Sequence, residues 1–237
     1  MPAPSALATT VFLAIVLLVA VVLLRAGRKA GVGRPALAGL LLVYLAIPAA
    51  LSRAGVLDRY DPLPAPALLL LLGLTLLTAV TVFSPLGRRL ASLPLAAIVA
   101  FQSFRVGVEW WLHRMHLEGL VPEQMTFSGR NFDIISGLTG LLLGGWMLSG
   151  KPAGRGLVLA WNVLGLALLA NIVVVAALST PVPFRRFLGG PPNLLPSEFP
   201  WIWLPTMFGL MPRFGFRLLP TNCWPTNCWP TRPTKPA

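Results

Sequence analysis

The chain is short of charge, and shortest of acid: 11% of its 237 residues are charged, and only 7 are Asp or Glu. Soluble domains carry about 25% charged residues, so the composition argues against a water-soluble globule. Cysteine is nearly missing; Cys223 and Cys228 both lie in the tail, which leaves no disulfide framework for the body. No Asn-x-Ser/Thr acceptor for N-glycosylation occurs. Residues 1–24 hold no charge, and without a basic n-region the first apolar run reads as a retained helix rather than a cleaved signal.

What is present is apolar sequence in bilayer-sized lengths. The chain is 56% hydrophobic, and about 20 apolar residues suffice to cross hydrocarbon as a helix. The expected fold is all-α, a polytopic membrane bundle of seven helices forming one domain over residues 1–219. The spans fall at about 6–24, 35–51, 66–84, 91–113, 132–149, 156–178 and 199–217. The seventh is the weakest, because Pro205 and Pro212 interrupt it. Residues 220–237 repeat PTNCW and are rich in proline, which predicts a disordered tail.

A net charge of +12 would suggest nucleic acid in a soluble protein. Here the cations fall in short loops, where they set topology, and no nucleic-acid partner is expected. Counted alternately, one side receives the basic loops at Arg25–Arg34, Arg88–Arg89 and Lys151–Arg155 and the basic C-terminal stretch, with no acid. The other side receives equal numbers of basic and acidic residues. The positive-inside rule makes the first side cytoplasmic, with the N-terminus outside and the tail inside. The Ala/Leu/Pro/Arg-rich composition is compatible with a bacterial source. The expected location is therefore a bacterial inner membrane, with the lipid bilayer as partner.

One span breaks the apolar rule. In LASLPLAAIVAFQSFRVGVEWWLHRMHLEGLV, the residues Gln102, Arg105, Glu109, His113 and His116 are spaced to stack on one helix face. Arg105 stands 16 residues beyond Arg89, about 24 Å along a helix at 1.5 Å per residue. An arginine at such depth costs about 2.5–3.5 kcal/mol on insertion scales, so it should face protein or a water-filled cavity. Glu109, one turn on, is its expected partner. Either the two tie helices together, or they line a pocket open to the outer side. There Arg105 would hold a carboxylate or phosphate, with Gln102, His113 and Asp133 as polar lining. Trp110 and Trp111 are expected in the interfacial aromatic belt.

In SGRNFD, Asn131 is expected to cap the fifth span and Asp133 to sit in its first turn. The sharper alternative leans Asp133 or Arg130 over the pocket toward His113 or Glu118. Gly137, Gly140 and Gly144 make a small-residue face that predicts close packing against the fourth span. Glu109, His113 and His116 are alternative zinc ligands by type, but their spacing fits no zinc motif, so neither metal nor cofactor is assigned.

From Phe101 to Gly140 the chain resembles a family of bacterial multi-pass membrane proteins of uncharacterised activity. The resemblance rests on Phe104, Arg105, Val108 and Glu109 and on the Gly129–Asp133 element. It implies no reaction and no site residue. Three functions follow as expectations: binding or passage of a small polar or anionic ligand, membrane-embedded catalysis using Glu109, His113, His116 and Asp133, or a non-catalytic assembly role.

Overall fold

The computed structural model describes residues 3–208 apart from Pro62 and Ala91, so the tail and the second half of the expected seventh span lie outside the described residues. The described chain is helical and contains no strand. Four helices are long and apolar enough to cross a membrane: α1 (Ala6–Lys29), α2 (Arg34–Arg53), α3 (Pro66–Phe83) and, further on, Arg155–Ser179. Most of their surface faces outward; Leu17 is 65% exposed and Val80 68%. Contiguous apolar surface of that extent is what lipid covers and water does not tolerate.

Proline shapes α2. Pro48 has no N–H to give the carbonyl of Tyr44, and its ring crowds that carbonyl, so the helix widens into a π turn at Leu42–Ala46. The freed acceptors find partners from the far end of the chain. Thr206 Oγ1 donates to the Tyr44 carbonyl at 3.1 Å and Trp203 Nε1 to that of Leu45 at 2.9 Å. A second π turn, Leu204–Phe208, thereby docks on the first.

The expected fourth span is not one helix. After the short helix α4 (Pro85–Leu90), α5 (Leu95–Phe101) and α6 (Phe104–Leu117) are separated by a turn at Gln102–Ser103. Tighter i→i+3 bonds cross it, among them Gln102 N to the Val99 carbonyl and Val106 N to that of Ser103. The break lies between the two places where α7 (Ile134–Leu148) presses hardest on the backbone. A Cβ on Gly144 would stand 2.3 Å from Ala100 Cα, and one on Gly137 2.9 Å from Val106 N. The glycine face thus packs backbone to backbone on α5 and α6, as its spacing predicts.

At its far end α6 stops at Gly119 (φ 73°), whose left-handed conformation lets Leu120 N return to the Met115 carbonyl. Helix α1 runs antiparallel beside α6. Ser5 caps α1 and donates to Glu118 through both its backbone N (2.7 Å) and Oγ (2.5 Å). Partial burial works against the Glu118 charge, but Ser5 and Arg114 outweigh it and hold that carboxyl below the usual carboxylate range. Trp111 is fully buried, not in an aromatic belt: its ring packs on Phe12 and Trp201, and its Nε1 donates to the Ala8 carbonyl. Trp110, 100° round the helix, stays exposed.

Candidate functional site

The polar stripe of α6 meets the start of α7 in a buried network. Gln102, Arg105, Glu109, Asn131, Asp133 and Ser136 are all buried. Arg105 Nη1 pairs with Asp133 Oδ1 and donates to Ser136 Oγ at 3.0 Å, while Nε donates to Gln102 Oε1 at 3.2 Å. Ser136 Oγ lies 2.6 Å from Asp133 Oδ1, so the carboxylate is held by charge and by hydroxyl together. Charge-assisted bonds of this kind are the strong ones, and in a dry interior they fix geometry.

The ion pair therefore differs from the expected one. Arg105 grips Asp133, and Glu109 is held instead by Asn131, whose Nδ2 lies 2.7 Å from both carboxylate oxygens. Asn131 does not cap α7. Its Oδ1 accepts from Asp133 N at 3.1 Å, which turns the amide nitrogen toward Glu109 and the Met125 carbonyl. Asp133 stands at the N-cap position rather than inside the first turn, and its side chain reaches across to α6. The loop delivers both residues by folding tightly on itself. A Cβ on Gly129 would come within 2.4 Å of the Glu123 carbonyl, and Thr126 O accepts from Gly129 N and Asn131 N.

A cavity of about 170 Å³ opens against this network. Arg105, Glu109 and Asp133 form one wall. Leu71 and Thr75 of α3, Ile172 of α8 (Arg155–Ser179), Leu204 and Pro205 close the others. The space suits a small molecule with a polar end against the charged wall and an apolar side toward the leucines.

Of the five residues singled out from sequence, Arg105, Glu109 and Asp133 share the cavity and Gln102 holds Arg105 from behind. His113 is apart: its ring lies 4.5 Å from Phe127 and its Nδ1 3.3 Å from Ser128 Oγ. His116 Nδ1 bonds the Val121 carbonyl. The zinc alternative of Glu109, His113 and His116 does not assemble; among the described residues no three His, Cys, Asp or Glu side chains gather to hold a metal. The turn between α6 and α7 explains this, because it swings Asn131, rather than a histidine, over Glu109. Asn131 and Ser136 are the site members that sequence reasoning missed in that role. Their only signal was Gly129, a glycine where the loop must approach itself.

Asn162 bonds its own helix at the Val158 carbonyl, whereas Asn171 reaches the Arg130 carbonyl of the loop before α7. Comparison with family models, curated proteins and solved structures finds no match, so the function must be argued from the chemistry of the cavity itself.

Proposed function

We propose that the chain is a multi-pass protein of a bacterial inner membrane that binds or passes a small polar or anionic ligand in the cavity beside Arg105. In the proposed arrangement of seven spans with the N-terminus outside, the cavity opens toward the periplasmic side, and the one-sided distribution of basic loops supports that orientation. The observation that carries the reading is the convergence of Arg105, Glu109 and Asp133 on one hollow. A buried charge trio is costly, and a purely structural pair has no use for a third ionisable group or for empty space.

The charge count suggests how an anion is accommodated. One guanidinium faces two carboxylates, so an incoming anion brings surplus negative charge. Asp133 is bound to Arg105, whereas Glu109 rests on a neutral amide and is the group free to take a proton as the anion arrives. Arg105 is then the anchor and Glu109 the proton carrier.

The closed set of bonds around Arg105 favours a second reading, in which the network only fastens α6 to α7 within an assembly subunit. Purified protein challenged with a panel of small carboxylates and phosphates separates the two. Under the ligand reading, some anions raise the thermal midpoint, more at pH 5.5 than at pH 8, and the matched double variant R105M/D133L folds but loses the response. An identical response, or none, in wild type and double variant contradicts ligand binding at Arg105.

A further inference from the structure

A second hollow lies on the opposite side of Gln102. It is a groove of about 500 Å³ between the C-terminal half of α1 and a wall formed by Leu90 and residues of the Leu93–Gln102 stretch. Its walls are Leu23, Leu93, Ala97, Ile98 and Phe101, and three cations of α1, Arg25, Arg28 and Lys29, stand at it. All three are exposed, and among the described residues none has an ion pair. Because α1 and α5 run antiparallel, Lys29 and Pro94 mark one end of the groove, and Val22 and Gln102 the other. From Val22 to Lys29 the helix climbs about 10 Å, so charge sits at one end and aliphatic wall runs away from it.

We propose that this groove is a binding site for an anionic phospholipid, its phosphate held by Arg25, Arg28 and Lys29 and one acyl chain laid along the groove toward Gln102. The charges match: basic side chains at a helix end attract anionic headgroups, and the site faces the side of the molecule where acid is missing from the loops. The shape matches as well. A groove narrow enough to be lined by α1 on one side and α5 on the other takes a chain, whereas a free phosphate would use only the rim. The lipid's buried end abuts Gln102, the residue whose Oε1 accepts from Arg105. Occupancy of the groove therefore leans on the packing behind the polar network, independently of what the cavity on the other side binds.

The test is retention of lipid by the purified full chain, read by native mass spectrometry after exchange into bilayers of phosphatidylcholine containing phosphatidylglycerol. Wild type should carry phosphatidylglycerol preferentially. The variant R25Q/R28Q/K29Q should lose about tenfold or more of that preference. A97W, which fills the groove and leaves every charge in place, should lose it too. Soluble glycerol phosphate should not compete. Equal retention by wild type and the triple variant overturns the proposal, and so does unchanged retention by A97W. Competition by glycerol phosphate would make the rim an anion site without a lipid and also overturn it.

Discussion

The two hollows on either side of Gln102 differ in how they handle charge. The cavity keeps its charges buried and bonded, a guanidinium against a carboxylate with a second carboxylate on an amide. The groove leaves its cations exposed at a helix end and lines its depth with hydrocarbon. Buried charges act through protons and hydrogen bonds at short range, because desolvation forbids leaving them unmatched. Exposed cations act through the field at the membrane surface, which salt screens. Gln102 borders the groove and bonds Arg105 of the cavity wall, so variants can set one hollow against the other.

The largest effect is expected inside the network. Asp133→Ala leaves Arg105 buried without its counter-charge and should cost about 3–5 kcal/mol, measured by denaturant unfolding in detergent. R105M/D133L should recover most of it. Next comes the close packing of α7 on α5. Gly144→Leu drives a side chain into the Ala100 backbone, and overpacking of this kind costs about 1–3 kcal/mol; the same unfolding assay reads it. Smaller is the loss at the paired π turns. Thr206→Val removes the donor to the Tyr44 carbonyl and should cost about 1 kcal/mol, with the cavity wall at Leu204 and Pro205 loosened as its local sign.

The smallest effect lies at the N-terminal end of α1 and depends on pH. Ser5 and Arg114 hold the folded Glu118 carboxyl below the ordinary glutamate value of 4.5. Its contribution to stability is therefore complete above that value and is lost as pH falls through the lower, folded one. Ser5→Ala removes the hydroxyl donor and should flatten the acid side of a stability profile below about pH 5. An unchanged profile would show that Ser5 does not hold Glu118 in its charged form.

How far these features were legible in sequence depends on the range over which each is decided. The apolar runs of α1, α2, α3 and α8 were visible because bilayer thickness sets their length, and the helices agree with the expected spans within a few residues at most ends. The glycine face of α7 was visible because its spacing is local. Arg105 announced itself as a charge in an apolar run. Its partner did not, since Asp133 lies 28 residues away and only the fold of the Gly129 loop brings it back. The break at Gln102–Ser103 contains neither proline nor glycine; glycines of α7 press on the backbone at Ala100 and at Val106, on either side of it, which helical spacing in α5 and α6 cannot reveal. Likewise the π turn at Tyr44 follows from Pro48, but which side chains satisfy the freed carbonyls is settled by residues near the opposite end of the chain.

The most direct measurement is access to the cavity from the outer side. With Cys223 and Cys228 replaced by serine, Ile172→Cys puts a single thiol in the cavity wall. Intact cells are then treated with membrane-impermeant thiosulfonates of either charge. The account expects Cys labelling at 172 from outside, faster with the anionic reagent than with the cationic one, and that preference erased in R105M/D133L. A thiol that neither reagent reaches, or one labelled with no regard to the reagent's charge, would contradict an outward-facing anion site at Arg105.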